Sequence, residues 1–385
     1  MDIKKLGEIC AIVSGGTPSR TNTEFWDGGT IPWIKIGDIK EKHVSKADEY
    51  ITQAGLDGSS AKMLSKGTIL YTIFATLGEA GILTIDACTN QAIAGITIRN
   101  QNEVLTDYLY YYLKSKKSYV NNLGRGVAQN NINLSILRNL DVPLPDLPTQ
   151  QQTVDVLDET VKVIKYRQQQ LQKLDDLVKA RFVELFGDSL KGDKKLLSEV
   201  ATITGGLTKN SSRNTFETKM PYLRVANVFY NRLDLREILE IGVKEEEIEK
   251  TLLQAGDLLF VEGNGSIEQV GRVAIWDGSI DPMLHQNHLI KARFNNEIIT
   301  PEYALFYFML QDGRQQIISK SVSTSGLNTL SVNKVSSLLL PVPPIALQKQ
   351  FGEFVKQTDK SKAVIQKALD EAQLLFGSLM QQYFS

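Results

Sequence analysis

His285 and His288 stand three residues apart, and Pro145-Asp146 with the later run Asp193-Lys194-Lys195 supplies the letters of a nuclease site. Neither pattern closes. A structural zinc takes four protein ligands and a catalytic one three, whereas the chain holds three histidines (His43, His285, His288) and two cysteines (Cys10, Cys88), with no third ligand beside the pair. No metal is expected. A nuclease of the P-D…[DE]-x-K type needs its acid and lysine close behind the Pro-Asp, and Asp193 lies beyond a whole expected helix. No G-x-x-x-x-G-K-[ST] cradles a phosphate. Pro343-Pro344 sits between Val342 and Ile345, not in the Asn- or Asp-led, aromatic-ended motif of amino-methyltransferases. No catalytic residue and no cofactor is therefore expected. The chain offers hydrogen-bonding side chains in matched places instead: Asn90-Gln91 against Gln286-Asn287, and Lys35 against Arg224.

Those residues sit in a chain of 385 residues, long enough for two or three domains with cores of their own. Hydrophobic residues make up 42% and charged ones 23%, and no apolar run approaches the roughly 18 residues of a membrane span. The opening MDIKKLGEIC lacks an apolar signal region and cysteine is scarce, so a cytoplasmic location is expected. Net charge is −1, from 43 Lys plus Arg against 44 Asp plus Glu. A free-standing tight DNA binder is usually more basic, so a nucleic-acid partner would be held by local patches or with the help of other subunits.

One plan is written twice. Leu6 and Glu8 answer Leu197 and Glu199; Gly15-Gly16 answers Gly205-Gly206; IPWIKIGDI at Ile31 answers MPYLRVANV at Met220. LSKGTILYT at Leu64 matches LQAGDLLFV at Leu253, GILTI at Gly81 matches GRVAI at Gly271, and TDYLYYYL at Thr106 matches PEYALFYF at Pro301. Leu134-Ser135 pairs with Leu330-Ser331, and VPLPDLPTQQQ at Val142 pairs with LPVPPIALQKQ at Leu340. The spacing stays between 189 and 198 residues, which marks a duplication with loop-sized insertions. Loops between the signposts, such as TPSRTNTEFWDGG and LTKNSSRNTFETK, share little. A common frame with divergent loops suits two copies doing one job on different targets.

Short β-like runs separated by Gly, Asn, Asp and Ser predict strands and hairpins in each copy, with one helix over 107–123 and its counterpart over 302–318. The aromatic row Tyr108 to Tyr112 reads as core. Gly-Gly is open to two readings, a tight turn or a backbone approaching phosphate. After each Pro-rich phrase the period changes. Val154, Leu157, Val161, Ile164, Gln168, Leu171, Asp175, Val178, Phe182 and Leu185 step by three and four, as do Phe351, Phe354, Thr358, Ser361, Ile365, Ala368, Ala372, Leu375 and Leu379. That is a heptad seam, and helices on the order of 50 Å long bury it most economically against each other. The expected helix-pair seam is Leu157, Val161, Ile164, Leu171 and Val178 against Phe354, Ile365, Ala368 and Leu375. Gly377 is expected to allow a close helix approach. Proline keeps the residue before it out of the helical region, so V-P-L-P must be an extended strap. Thr149 and Gln152 have capping-box spacing for the helix that follows.

With this plan in view, the chain resembles the DNA-specificity (S) subunits of type I restriction-modification systems. Each motif is weak alone; their order, repeated with a heptad helix after each set, carries the likeness across the whole chain. The resemblance implies an α+β fold, a tandem pseudo-repeat of two mixed target recognition domains separated by a pair of long antiparallel coiled-coil helices. Its divisions fall at 1–145 and 188–343 for the recognition domains, and at 146–187 and 344–385 for the helices. It further implies a non-catalytic partner of double-stranded DNA. Each domain would read half of a bipartite target, the helices would set the spacing and dock two methyltransferase (M) subunits, and motor-nuclease (R) subunits could join for cleavage. The helix length agrees, since half-sites about one turn apart are roughly 34 Å from each other.

Arg and Lys read guanine and Asn and Gln read adenine in the major groove. On that ground the candidate DNA contacts in the first copy are Thr17, Ser19, Arg20, Asn22, Lys35, Asn90, Gln91, Arg125, Gln129 and Asn130. In the second they are Lys209, Asn210, Arg213, Arg224, Asn227, Asn264, Gln286, Asn287 and Ser325. Lys35 and Arg224 place a cation at one strand position of both copies, as phosphate positioning requires. The rival reading is a non-catalytic scaffold whose two modules bind two protein partners; the Asn, Gln, Ser and Thr of the loops suit base edges better than protein hot spots.

Overall fold

A computed structural model describes residues 2–124, 131–324 and 326–384. The chain divides into two units, one of residues 1–168 with 367–385 and the other of 169–366. Each contains one of the two repeated modules together with a part of both long helices.

The frame of the two modules is the same. In the first, strand Asp2–Lys5 pairs antiparallel with Asp141–Leu144, so the module's first strand lies against its Pro-rich exit. In the second, Lys194–Leu196 pairs with Leu339–Pro341 in the same sense. The L-x-E signpost closes this joint. Leu6 and Leu197 are fully buried, and Glu8 and Glu199 accept the backbone N–H of Lys5 (2.9 Å) and Leu196 (2.6 Å) at the start of a one-turn helix. A larger sheet follows, ordered Cys10–Ser14, Ile93–Ile98, Ile69–Thr72, Ala80–Leu83, His43–Val44 in the first unit. Its counterpart runs Ala201–Gly205, Leu289–Phe294, Leu258–Val261, Val273–Ile275. The central strands ILYT and LLFV are buried throughout, because both faces are covered and alternation is lost. A smaller sheet has Ile31–Ile34 between an antiparallel neighbour, Glu49–Ile51, and a parallel one, Cys88–Thr89. The second unit repeats it with Lys219–Leu223 between Leu239–Gly242 and Leu284–His285.

The expected single helix of each module is two, Thr106–Ser115 with Lys117–Gly124, and Pro301–Met309 with Gln311–Lys320. Periodicity continues across the bend, so sequence alone joins them. All of Tyr108 to Tyr112 is core, as read. Two pairings shift: the short helices Leu134–Arg138 and Val332–Ser336 are capped by Asn133 and Ser331, so Leu134 answers Val332 rather than Leu330, and Gly16 and Leu207 make the same bond, to the carbonyls of Thr89 and His285, so Gly15 answers Gly206 rather than Gly205.

Gly15 and Gly206 settle the glycine question for themselves. A Cβ at Gly15 would lie 2.2 Å from the carbonyl oxygen of Thr89, and one at Gly206 2.1 Å from that of His285, at the same place in each module. These glycines permit a close approach within the fold.

The long helices span Leu147–Phe186 and Ile345–Phe384, 40 residues each. Within the first unit, Val154 and Leu157 pack with Met380 and Phe384; within the second, Val178, Phe182 and Phe186 pack with Phe351 and Val355. Early residues of one helix thus meet late residues of the other, and the pair is antiparallel. Of the expected seam residues, Leu157 and Val178 are buried and Ile164, Leu171, Phe354, Ile365 and Ala368 are half-buried. Val161 and Leu375 are corrections, being 39% and 52% exposed. From Leu157 the seam steps to Thr160, which can be buried because its hydroxyl donates to the carbonyl of Val156 (2.8 Å), and then to Ile164, Arg167, Leu171 and Leu174. A three-residue and a four-residue step satisfy a heptad equally well, and apolar Val161 draws a sequence reading to the wrong one. Gly377 faces open space and brings no helix close. The first helix is capped by Asp146, whose carboxylate accepts the N–H of Thr149 at 3.1 Å; Gln152 is exposed, so the expected Thr149–Gln152 box does not form.

Candidate nucleic-acid interface

Each module presents the loop after its first sheet strand, the turn after its middle short-sheet strand, and the turn after the parallel edge strand. In the first unit, Trp33 donates its indole N–H to the carbonyl of Gly16 (2.9 Å) and Trp26 donates to that of Ser19 (3.0 Å), tying the first loop down at two points. Asn22 accepts the N–H of Glu24 (3.2 Å) and Ser19 bonds Thr21 (2.9 Å). Thr17 donates to the side chain of Gln91, while Asn90 accepts the N–H of Ala92 at 3.1 Å. Thr17 and Gln91 are thereby brought together from loops far apart in sequence.

Lys35 and Arg224 share more than a strand position. The N–H of Lys35 donates to Asp38 (2.7 Å) and that of Arg224 to Asn227 (2.9 Å), and each residue opens a short 3-10 helix. Their side chains meet carboxylates, Lys35 with Glu49 at 2.6 Å and Arg224 with Glu237 at 2.8 Å. Glu49 also receives Arg20 at 2.5 Å. The Lys35 hydrogen bond, with Arg20 adding to it, holds the Glu49 carboxyl below its ordinary range.

Two candidates in the second unit are corrections. Arg213 is 7% exposed, with its guanidinium bonded to both oxygens of Glu247 (2.7 and 2.9 Å) and to the carbonyls of Thr208 and Gly242. That bond is the main cause holding the Glu247 carboxyl down to about 2. Asn227 is 3% exposed and its amide donates to the carbonyls of Asp234 and Glu237. Both side chains spend their hydrogen bonds inside the fold, and reading them as DNA contacts does not hold. Lys209 and Asn210 remain exposed beside them, at the rim of a cavity of about 270 Å³ shared with Tyr222. Asn264 accepts the N–H of Ser266 (2.9 Å), and Gln286 and Asn287 are half-buried. Arg125, Gln129, Asn130 and Ser325 lie outside the described residues.

Burial keeps His285 neutral, lowering its pKa to about 4, and its ring bonds the carbonyl of Thr251 at 2.8 Å; His288 turns instead to Glu262 at 2.7 Å. Burial pushes the Cys10 thiol up to about 12 and that of Cys88 to about 11. Among the described residues, no three His, Cys, Asp or Glu side chains stand close enough to share a metal ion, and no helix is long and apolar enough to cross a membrane.

Sequence reading passed over the residues that fix each module on its helix. Gln150 and Gln348 are both 0% exposed. The Gln150 amide accepts the N–H of Leu105 (2.9 Å) and donates to the carbonyls of Glu103 (2.8 Å) and Pro145 (2.9 Å). Gln348 accepts from Thr300 (2.9 Å) and donates to Ile298 (3.0 Å) and Pro343 (2.8 Å). Tyr108 and Tyr303 reinforce the joint by donating to the strap carbonyls of Pro143 (2.9 Å) and Pro341 (3.1 Å). The available signal was the glutamine that recurs at one offset behind both Pro-rich straps.

The family model for the type I restriction modification DNA specificity domain matches residues 1–176 and again 192–373. The chain belongs to that family. The two matches coincide with the two structural repeats. Family relatives include the type I restriction enzyme MjaIX specificity subunit of Methanocaldococcus jannaschii, 25% identical with 98% of this chain and 93% of that one covered. The EcoKI specificity subunit of Escherichia coli is 24% identical over 91% of this chain and 80% of that one. Among solved structures, the S subunit from M. genitalium gives a TM-score of 0.55 at 15% identity, covering 100% of this chain and 96% of that one. A chain from a study of complex assembly in the type I system gives 0.61 at 16%, covering 100% and 97%. At those identities the likeness establishes the fold: the tandem recognition modules and paired helices are the family's architecture.

Proposed function

We propose that this chain is the non-catalytic recognition subunit of a type I methyltransferase or restriction complex, in which each module reads one half of a bipartite double-stranded DNA target. The observation that carries this is the matching joint in both modules, with Gln150 and Gln348, and Tyr108 and Tyr303, in equivalent bonds, beneath loops whose side chains differ. The mounting is common to the two modules and the loops above it differ. The candidate contacts are Thr17, Ser19, Arg20, Asn22, Lys35, Asn90 and Gln91 in the first module and Lys209, Asn210, Arg224, Asn264, Gln286 and Asn287 in the second. Reaction chemistry belongs to partners. The long helices present large apolar side chains outside their seam, Val163 and Tyr166 in the first unit and Leu177, Val183 and Val364 in the second, as a docking surface for methyltransferase subunits requires. Motor-nuclease subunits would join the same cytoplasmic assembly.

Binding of the chain, co-expressed with its methyltransferase subunit, to duplex DNA should weaken linearly in log–log form as salt rises, because phosphate contacts release counterions. Failure to bind any duplex at every salt concentration would favour the scaffold reading.

A further inference from the structure

Among the described candidate contacts, Arg20 is the one that stacks on aromatic rings. Its guanidinium lies 3.7 Å from the ring centroid of Trp26 and 4.9 Å from that of Trp33. The two indoles meet edge to face at 5.2 Å, and each is pinned by its own N–H to the backbone of the Arg20 loop. One end of the guanidinium pairs with Glu49, while the side chain stays 52% exposed and makes no other hydrogen bond among the described residues. Glu49 is itself fixed from the other side by Lys35. The group is thus stacked on a rigid aromatic face, buttressed by a carboxylate, and left with free N–H donors toward solvent. Rotamer entropy, the usual loss when a long side chain binds, has already been surrendered in folding.

A free Arg fork matches the O6 and N7 acceptors of guanine; adenine offers an acceptor and a donor there, so the same fork meets a mismatch. We propose that Arg20 reads one guanine through the major groove in the half-site of the first module. This rests on the specificity-subunit reading and adds a base identity to it. In the corresponding loop of the second module, Arg213 is instead sealed against Glu247. One guanine in one half-site should therefore depend on this residue.

The test uses the purified complex with its methyltransferase subunit and a duplex carrying the motif that the wild-type complex methylates. Guanines are replaced one at a time by 7-deazaguanine, which lacks N7. Wild-type affinity should fall at one guanine, by roughly 5- to 150-fold when the whole base is changed, and Arg20→Gln should abolish that discrimination while preserving it at every other position. Arg20→Lys, which keeps the charge and loses the stacked fork, should weaken the same discrimination with an unchanged salt slope. Equal discrimination in wild type and both variants would overturn the proposal. So would uniform weakening on all duplexes, which would make Arg20 a backbone contact. A wild-type complex that binds no duplex would instead defeat the specificity-subunit reading on which this one stands.

Discussion

Phe182→Ala should destabilise the second unit by about 3–5 kcal/mol, the usual range for truncating a fully buried aromatic. Phe182 is 0% exposed and packs on Phe186 (4.9 Å), Phe351 (5.3 Å) and Tyr303 (5.5 Å), so one ring ties both long helices to the recognition module. The neighbouring residue supplies the control. Val183 is 57% exposed, and Val183→Ala should fall within about 0.5 kcal/mol of wild type. Urea denaturation of the full chain, followed by circular dichroism, distinguishes the two. Equal effects would mean that the helix is rotated from the face described.

Gln150→Leu should cost about 3 kcal/mol or more despite its near-equal volume. Leucine fills the space but leaves the N–H of Leu105 and the carbonyls of Glu103 and Pro145 buried without partners, and each such group costs about 1–3 kcal/mol. Gln348→Leu should behave alike, because Thr300, Ile298 and Pro343 stand in the same relation to it. Hydrogen exchange at the Leu105 amide reports the lesion locally: protection should drop well beyond the global loss of stability. Retained protection together with an unchanged denaturation midpoint would show that the amide is not what mounts the module on its helix. The functional consequence is indirect. A module that tilts on its helix presents correct loops at the wrong place along the duplex.

Much of this was legible in the sequence because the repeat supplies two independent readings of each feature. L-x-E and the Pro-rich strap recur in order, and in both copies they form one joint. Helix phase was less legible. The three-or-four ambiguity put Val161 and Leu375 on the seam, where burial instead selects Thr160 and Phe376. The reading surface was least legible, for a physical reason. Arg20 and Arg213 look alike as exposed loop cations, and only tertiary partners separate them: Glu247 seals one inside, while Trp26 and Glu49 hold the other outward. A cation's role follows from where its counter-charge lies, and Glu49 and Glu247 are 29 and 34 residues from the arginines they hold.

The central claim is that this chain chooses the DNA sequence its complex modifies. Methylome sequencing of the source cells with and without the gene tests it most directly. The account predicts that one bipartite adenine-methylation motif, two short defined halves around an unread spacer, disappears when the gene is removed and returns when it is restored. An identical methylome in both strains, in cells shown to express the chain with its methyltransferase partner, would contradict it.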